Sequence, residues 1–305
     1  MKGLESIIYE SIVYLTPTLL CVLGGIFAYK ANVLNIALEG MMMAGAFISV
    51  LVAHSFENRL LLAYIAAFAV CILLGFVFSF LGVRMKGNVI IIGLAINMLV
   101  PAIAGFVMKL MSLASIPVKW FSTNSIMITI PIIKDIPILG SIFSGHPPIT
   151  YISYVLIILM YLLMYKTKFG VHVRVVGENE DAAINLGLKT NKDKTIAVLI
   201  GAGCCGLAGT DLALERLSLY TNNMTAGRGF IAIAAIYCGR GDPLKCTLYA
   251  LLFSITNAVA EYFSLLVSAS LLLKVVPYVV MVIVLSIASA VNRRNLRTRG
   301  AFAEN

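Results

Sequence analysis

Two asparagine and carboxylate pairs stand inside otherwise apolar sequence, Asn35 with Glu39 and Asn257 with Glu261, and Asn97 sits alone within a third apolar run. Each pair is four residues apart, so one face of a helix carries both groups. An amide or carboxylate in hydrocarbon is costly and normally faces an interior path. Two chemistries fit these residues. They could hydrogen-bond a polar, neutral solute along a translocation pathway, or they could serve as polar glue between helices and as caps on a broken one. Asp211 and Glu215 fall at the predicted outer edge of a further run, where ordinary solvation explains them.

A second polar set lies in residues 168–188, the one markedly charged interior stretch. Asn179 can accept a hydrogen bond as an N-cap, Glu180 and Asp181 place negative charge in the first turn, and Gly187 suits a left-handed stop. Two turns of helix do not hold in water alone, so this element needs tertiary contacts or a docking partner. Ala182, Ala183 and Leu186 form its less polar face and are the expected contact.

Other chemistry is excluded by pattern. His54, His146 and His172 are well separated, and no His, Cys, Asp and Glu set has metal-ligand spacing. Six cysteines lie in or beside apolar runs and read as small packing residues. No G-x-x-x-x-G-K-[ST] phosphate loop occurs. Gly201-Ala-Gly-Cys-Cys-Gly206 matches a dinucleotide fingerprint formally, yet it lies in a membrane-length run without a strand before it or an acidic partner after it. Its glycines are expected to let helices approach closely.

The elements that must hold these groups are membrane helices. The 305 residues are 60% hydrophobic and 12% charged, about half the charge of a soluble domain, with a mean hydropathy of +0.97. Apolar runs at about 11–29, 36–53, 60–83, 88–111, 149–165, 195–214, 229–238, 246–260 and 271–291 predict one all-α polytopic bundle of about 8–10 membrane segments spanning residues 1–305. The 229–238 run, flanked by glycines, is too short to cross and predicts a broken or half helix. A net charge of +9 would suggest nucleic acid for a soluble chain; here basic residues gather at one membrane face, and no nucleic-acid partner is expected. Alternating the runs leaves Arg216 and Arg228 on one side and puts most of the 23 lysines and arginines, including those of residues 166–194 and the 293–299 tail, on the other. That side is the cytoplasm by the positive-inside rule, which leaves 112–148 as a proline-rich extracytoplasmic loop, expected to cap the outer mouth. Parity leaves Met1 outside.

Two stretches echo one another: residues 36–45 after a polar approach at 31–35, and 231–239 after a similar approach at 225–229. Paired interruptions in two related halves are the pattern of a transporter's central site.

The segments Asn32-Val-Leu-Asn-Ile-Ala-Leu-Glu-Gly-Met-Met-Met-Ala-Gly-Ala-Phe47 and Val175-Val-Gly-Glu-Asn-Glu-Asp-Ala-Ala-Ile-Asn-Leu-Gly-Leu188 resemble those of bacterial ATP-binding-cassette importer permeases. The branch is the one handling ribose-like sugars, branched-chain amino acids and nucleosides. Gly203 to Gly209 and Gly227 to Pro243 fit the same pattern in order. The Asn-Ile-Ala-Leu-Glu-Gly-Met form and the proline-rich loop look most like the shorter permease of nucleoside importers. The resemblance implies a cytoplasmic coupling helix at Glu178 to Leu186 seated on a separate ATPase, which binds the ATP; the chain itself carries no cofactor and hydrolyses nothing. It also implies a second, longer permease subunit and an extracytoplasmic substrate-binding lipoprotein in a bacterial cell membrane, with a cytoplasmic C-terminus. A permease for a simple sugar such as ribose is the alternative substrate class, and an autonomous secondary transporter built on Glu39 and Glu261 is the alternative mechanism.

Overall fold

The computed structural model describes residues 2–131, 139–266, 275–287 and 290. The basic tail at 293–299, part of the 271–291 run and part of the 112–148 loop lie outside the described residues.

Among the described residues, seven helices are long and apolar enough to cross a membrane. They are α1 (Lys2–Lys30), α2 (Leu38–Ser55), α3 (Leu60–Ser79), α4 (Val89–Leu110), α6 (Pro148–Lys166), α9 (Thr190–Thr210) and α11 (Pro243–Leu266). Shorter helices are α5 (Leu139–Phe143), α7 (Lys168–Glu178), α8 (Glu180–Asn185), α10 (Arg228–Gly239) and α12 (Val276–Ile287). The short run after residue 228 is the half helix expected from its glycine flanks.

Burial sorts the bundle into an axis and a rim. About 89% of the apolar window of α1 is buried and 78% of that of α9, against 22% for α3 and for α4. Helices α1, α2 and α9 therefore pack together at the centre, while α3, α4 and α6 turn apolar side chains such as Phe68, Leu94, Phe106 and Ile158 outward, as lipid requires.

Small residues make the central packing possible. A Cβ on Gly45 would come within 2.7 Å of the Gly206 carbonyl oxygen, and one on Gly24 within 2.6 Å of Cys204 Cβ. At Gly209 it would overlap the Met42 carbonyl oxygen and the Ala46 nitrogen. Without hydrophobic drive between helices in lipid, such close backbone approach supplies the attraction. Gly209→Val is expected to cost about 1–3 kcal/mol by overpacking, read as a lowered melting temperature of the detergent-solubilised protein with α2 and α9 pushed apart.

The two ends differ. One carries α7 and α8. At the other, the 112–131 loop is tied down by Trp120 Nε1 donating to the Ala53 carbonyl at 2.7 Å, by His54 Nδ1 against the Pro117 carbonyl at 2.8 Å, and by a two-residue antiparallel ladder between β1 (Ile116–Pro117) and β2 (Leu219–Tyr220). Past Gly145, His146 stacks on Tyr9 of α1, with ring centroids 4.7 Å apart. Burial there lowers the pKa of His146, so the ring is neutral near pH 7.

Asp211 and Glu215 correct the sequence reading. Helix α9 does not stop where its apolar run ends but continues through wider turns over Asp211–Leu217, which swing both carboxylates inward to full burial. Arg216, read as an outer-loop cation, is buried with them. It bonds Asp211 Oδ2 at 2.8 Å and donates to Thr150 Oγ1 at 2.9 Å and Thr16 Oγ1 at 3.2 Å. Glu215 accepts from the Ile149 amide at 3.2 Å and from the Tyr64 hydroxyl. A buried pair of this kind persists only when its remaining hydrogen-bonding positions are filled, and this network fills most of them while fastening α9 to α1, α3 and α6.

Candidate functional site

Residues 31–37 leave the Lys30 end of α1 and turn back into the bundle without forming helix, so that α2 begins in the interior. The level is fixed by contacts: Leu38 lies against Gly25 of α1, and Gly40 against Asn97 of α4, two turns past that helix's start. Asn97 holds the break open. Its Oδ1 accepts from the Gly40 amide at 2.8 Å and its Nδ2 donates to the Ile36 carbonyl at 2.9 Å. Asn35 Oδ1 accepts from the Ala37 amide at 3.0 Å, while its buried Nδ2 has no partner among the described residues.

Helix α10 begins at the same level from the opposite direction. Residues 221–227 descend from the β2 end, Gly227 turns with φ of 78°, and α10 then runs toward Gly239 and Gly241, beside Tyr29 and Lys30. The N-termini of α2 and α10 therefore meet inside the bundle, and the two stretches that echo one another in sequence are in contact.

Glu39 joins them. Its Oε1 accepts from Thr225 Oγ1 at 2.6 Å and from the Gly227 amide at 2.9 Å, and its Oε2 accepts from the Gly229 amide at 2.6 Å. A carboxylate on the unsatisfied amides and positive dipole end of α10 is the charge this geometry favours. Gly229 is required by the approach, because a Cβ there would sit 2.6 Å from Glu39 Cα. Asn35, Glu39 and Asn97 are thus brought together as the fastening of two broken helices.

Asn257 and Glu261 lie elsewhere, in a cavity of about 230 Å³ lined also by Tyr14, Arg228, Ile231 and Tyr278. Asn257 Nδ2 donates to the Phe253 carbonyl at 2.9 Å, and its Oδ1 has no partner among the described residues. Arg228 is a residue that the sequence reading placed in an outer loop. It starts α10, reaches back to the Met224 and Thr225 carbonyls at 3.1 and 3.2 Å, and lies 5.1 Å from the Tyr14 ring centroid. Its buried Nε has no partner among the described residues. The signal that could have found it is its place in Gly227-Arg-Gly229, since a cation at the start of a half helix enters the bundle with that helix.

At the far end, α8 has the expected form. Asn179 Oδ1 accepts from the Ala182 amide at 3.0 Å, Glu180 and Asp181 occupy the first turn, and Gly187 has φ of 78°. Lys194 of α9 bonds Glu180 Oε2 at 2.6 Å. The expected contact face needs correction at Ala183, which is fully buried. The outward apolar side chains are Ile184, 53% exposed, and Leu186, 74% exposed, beside exposed Glu178, Asp181 and Ala182. At the start of α11, Asp242 caps that helix and accepts from Tyr165 of α6. Partial burial opposes its charge, but the Lys245 and Leu244 amides and the Tyr165 hydroxyl hold its carboxyl below the usual range.

Residues 7–285 match the family described as branched-chain amino acid transport system / permease component. The chain is 33% identical over 273 residues to the guanosine ABC transporter permease NupQ of Bacillus subtilis, covering 86% of this chain and 84% of NupQ. It is 28% identical over 307 residues to the nucleoside ABC transporter permease NupC of Lactococcus lactis, covering 94% and 93%. It is also 28% identical over 248 residues to TsgC13 of Haloferax volcanii, provisionally named a glucose ABC transporter permease, covering 80% and 73%. No solved structure matches it. The chain belongs to the branched-chain amino acid transport system permease family and is a multi-pass membrane permease of the ABC type.

Proposed function

We propose that this chain is the permease subunit of an ATP-driven nucleoside importer in a bacterial cell membrane. The observation that carries the substrate class is the match to NupQ and NupC along most of the chain. In this reading the α7–α8 end is cytoplasmic and the 112–148 loop extracytoplasmic, in keeping with the clustering of lysine and arginine around α7 and α8. The C-terminus is then cytoplasmic.

A separate ATPase binds the ATP and grips α8 at Glu178, Asn179, Asp181, Ala182, Ile184 and Leu186, with Glu180 and Ala183 anchoring α8 to this chain and Gly187 ending it. The solute arrives from a substrate-binding lipoprotein, and a second, longer permease completes the pathway. This chain conducts and transmits; the partner hydrolyses. Movement of α8 passes to α9 through the Lys194 and Glu180 pair, and α9 is packed on α1 and α2 along the bundle axis.

The 230 Å³ cavity is smaller than pockets that enclose whole drug-sized ligands and is matched to a flat base. The Arg228 guanidinium lines the cavity as a donor group, while Glu261 and Asn257 offer acceptors, the alternation a nucleobase edge presents. Tyr14 and Tyr278 supply aromatic faces. Asn35, Glu39 and Asn97 shape the pathway beside it by holding the two half helices. Asn257→Ala with Glu261→Gln is expected to raise the KM for labelled nucleoside uptake by roughly ten- to a hundredfold, one lost hydrogen bond to a charged group being worth roughly 1.5–3 kcal/mol, with protein yield unchanged. An unaltered KM would remove the cavity from the pathway.

A further inference from the structure

A pocket of about 620 Å³ opens at the α7–α8 end, between the end of α3 and the start of α9. Arg84, Lys189 and Lys192 line it, and no carboxylate does. Of the acids on α8 and α9, Glu180 pairs with Lys194 at 2.6 Å, Asp193 faces His172 at 3.8 Å, and exposed Asp181 lies outside the pocket lining. Among the described residues, none of the three pocket cations enters an ion pair.

The other wall is apolar and faces outward. Phe76 and Phe80, 51% and 41% exposed, lie with ring centroids 6.4 Å apart on α3 and its continuation through Arg84. Because α3 crosses the membrane and is largely unburied, this aromatic wall belongs to the lipid-facing surface, whereas the cations sit at the level where the helix leaves it. Positive charge at the membrane surface joined to an apolar wall running into the bilayer is the division of an anionic phospholipid, with the phosphate at the cations and the acyl chain along the rings. An inorganic anion would leave the aromatic wall uncovered.

We propose that the pocket formed by Arg84, Lys189, Lys192, Phe76 and Phe80 is a binding site for an anionic phospholipid of the leaflet on the α7–α8 side. The lipid bridges α3 to the loop between α8 and α9, so its headgroup lies beside the element that docks the energy-supplying partner. Ile184 of α8 forms part of the same rim.

The test uses the full chain purified from membranes into mild detergent, incubated with phosphatidylglycerol or phosphatidylcholine, with bound lipid counted by native mass spectrometry. Wild type is expected to retain phosphatidylglycerol in preference to phosphatidylcholine. Each cation removed should lower that retention by roughly fivefold, so Arg84→Ala with Lys189→Ala and Lys192→Ala abolishes it. Lys109→Ala with Lys119→Ala, at the opposite end, should leave it unchanged. If the triple variant does not fold, Lys192→Glu alone, checked by its melting temperature, must still lower retention. Equal retention in wild type and variant overturns the proposal. So does displacement of phosphatidylglycerol by millimolar inorganic phosphate, which marks a small-anion site, or loss of a co-purifying protein with lipid retention intact, which assigns the cations to a protein partner.

Discussion

Glu39→Ala is expected to abolish uptake and to lower the yield of folded protein severely. The side chain accepts three hydrogen bonds in the interior, and its loss strands the Gly227 and Gly229 amides and the Thr225 hydroxyl. Leaving a buried donor unsatisfied costs about 1–3 kcal/mol, so the three together approach the total stability of many proteins. Glu39→Gln separates charge from geometry. Its single carbonyl oxygen can still accept at one position, but its NH2 meets the other donors, and the uncompensated positive end of α10 remains. Uptake by Glu39→Gln is expected to fall at least about tenfold, corresponding to roughly 1.4 kcal/mol, while a thermal melt still shows folded protein. Full activity in Glu39→Ala would show that the junction of the two half helices is dispensable.

Ile184→Asp with Leu186→Asp is the second large effect. Both side chains are exposed and apolar at the end of a two-turn helix that makes few other contacts, so the fold tolerates the change. A docked ATPase would not, because each aspartate must be desolvated against an apolar groove at a cost of several kcal/mol. The expected result is loss of ATPase co-purification and of uptake, with the melting temperature of this chain within a few degrees of wild type. Ala183→Asp gives the contrasting outcome, since Ala183 is fully buried against this chain and its replacement should lower stability itself.

The sequence announced the helices because lipid demands long, nearly unbroken apolar runs, and it announced α8 because its cap and stop residues act locally. The short α10 was legible from Gly227, Gly229 and the glycines at 239 and 241. Depth was much harder to read. Asp211 and Glu215 lie past the end of an apolar run, and hydropathy assigns such residues to water. Only the wider turns of Asp211–Leu217, with Arg216 and Thr150 as partners, bring them inside. Arg228 was misplaced for the related reason that a loop descending into a bundle has the composition of a surface loop. Ala183 is read as outward because six residues give too little periodicity to orient a helix; its burial, set by tertiary packing, decides the face. The pairing of Glu39 with residues 225–229 spans nearly two hundred positions, and the similarity of the two stretches hinted at it without naming the bond.

The central claim is that this chain passes nucleosides under the drive of ATP hydrolysed by a partner. Inside-out membrane vesicles would expose the wrong face, so the direct measurement uses proteoliposomes holding the purified assembly with ATP enclosed, supplied with the binding protein and labelled nucleoside. Accumulation is expected only with enclosed ATP, competed by unlabelled nucleosides and not by ribose or glucose, and absent with the Ile184→Asp and Leu186→Asp chain. Accumulation of ribose or glucose in place of nucleosides, or accumulation that proceeds without ATP, would contradict the account.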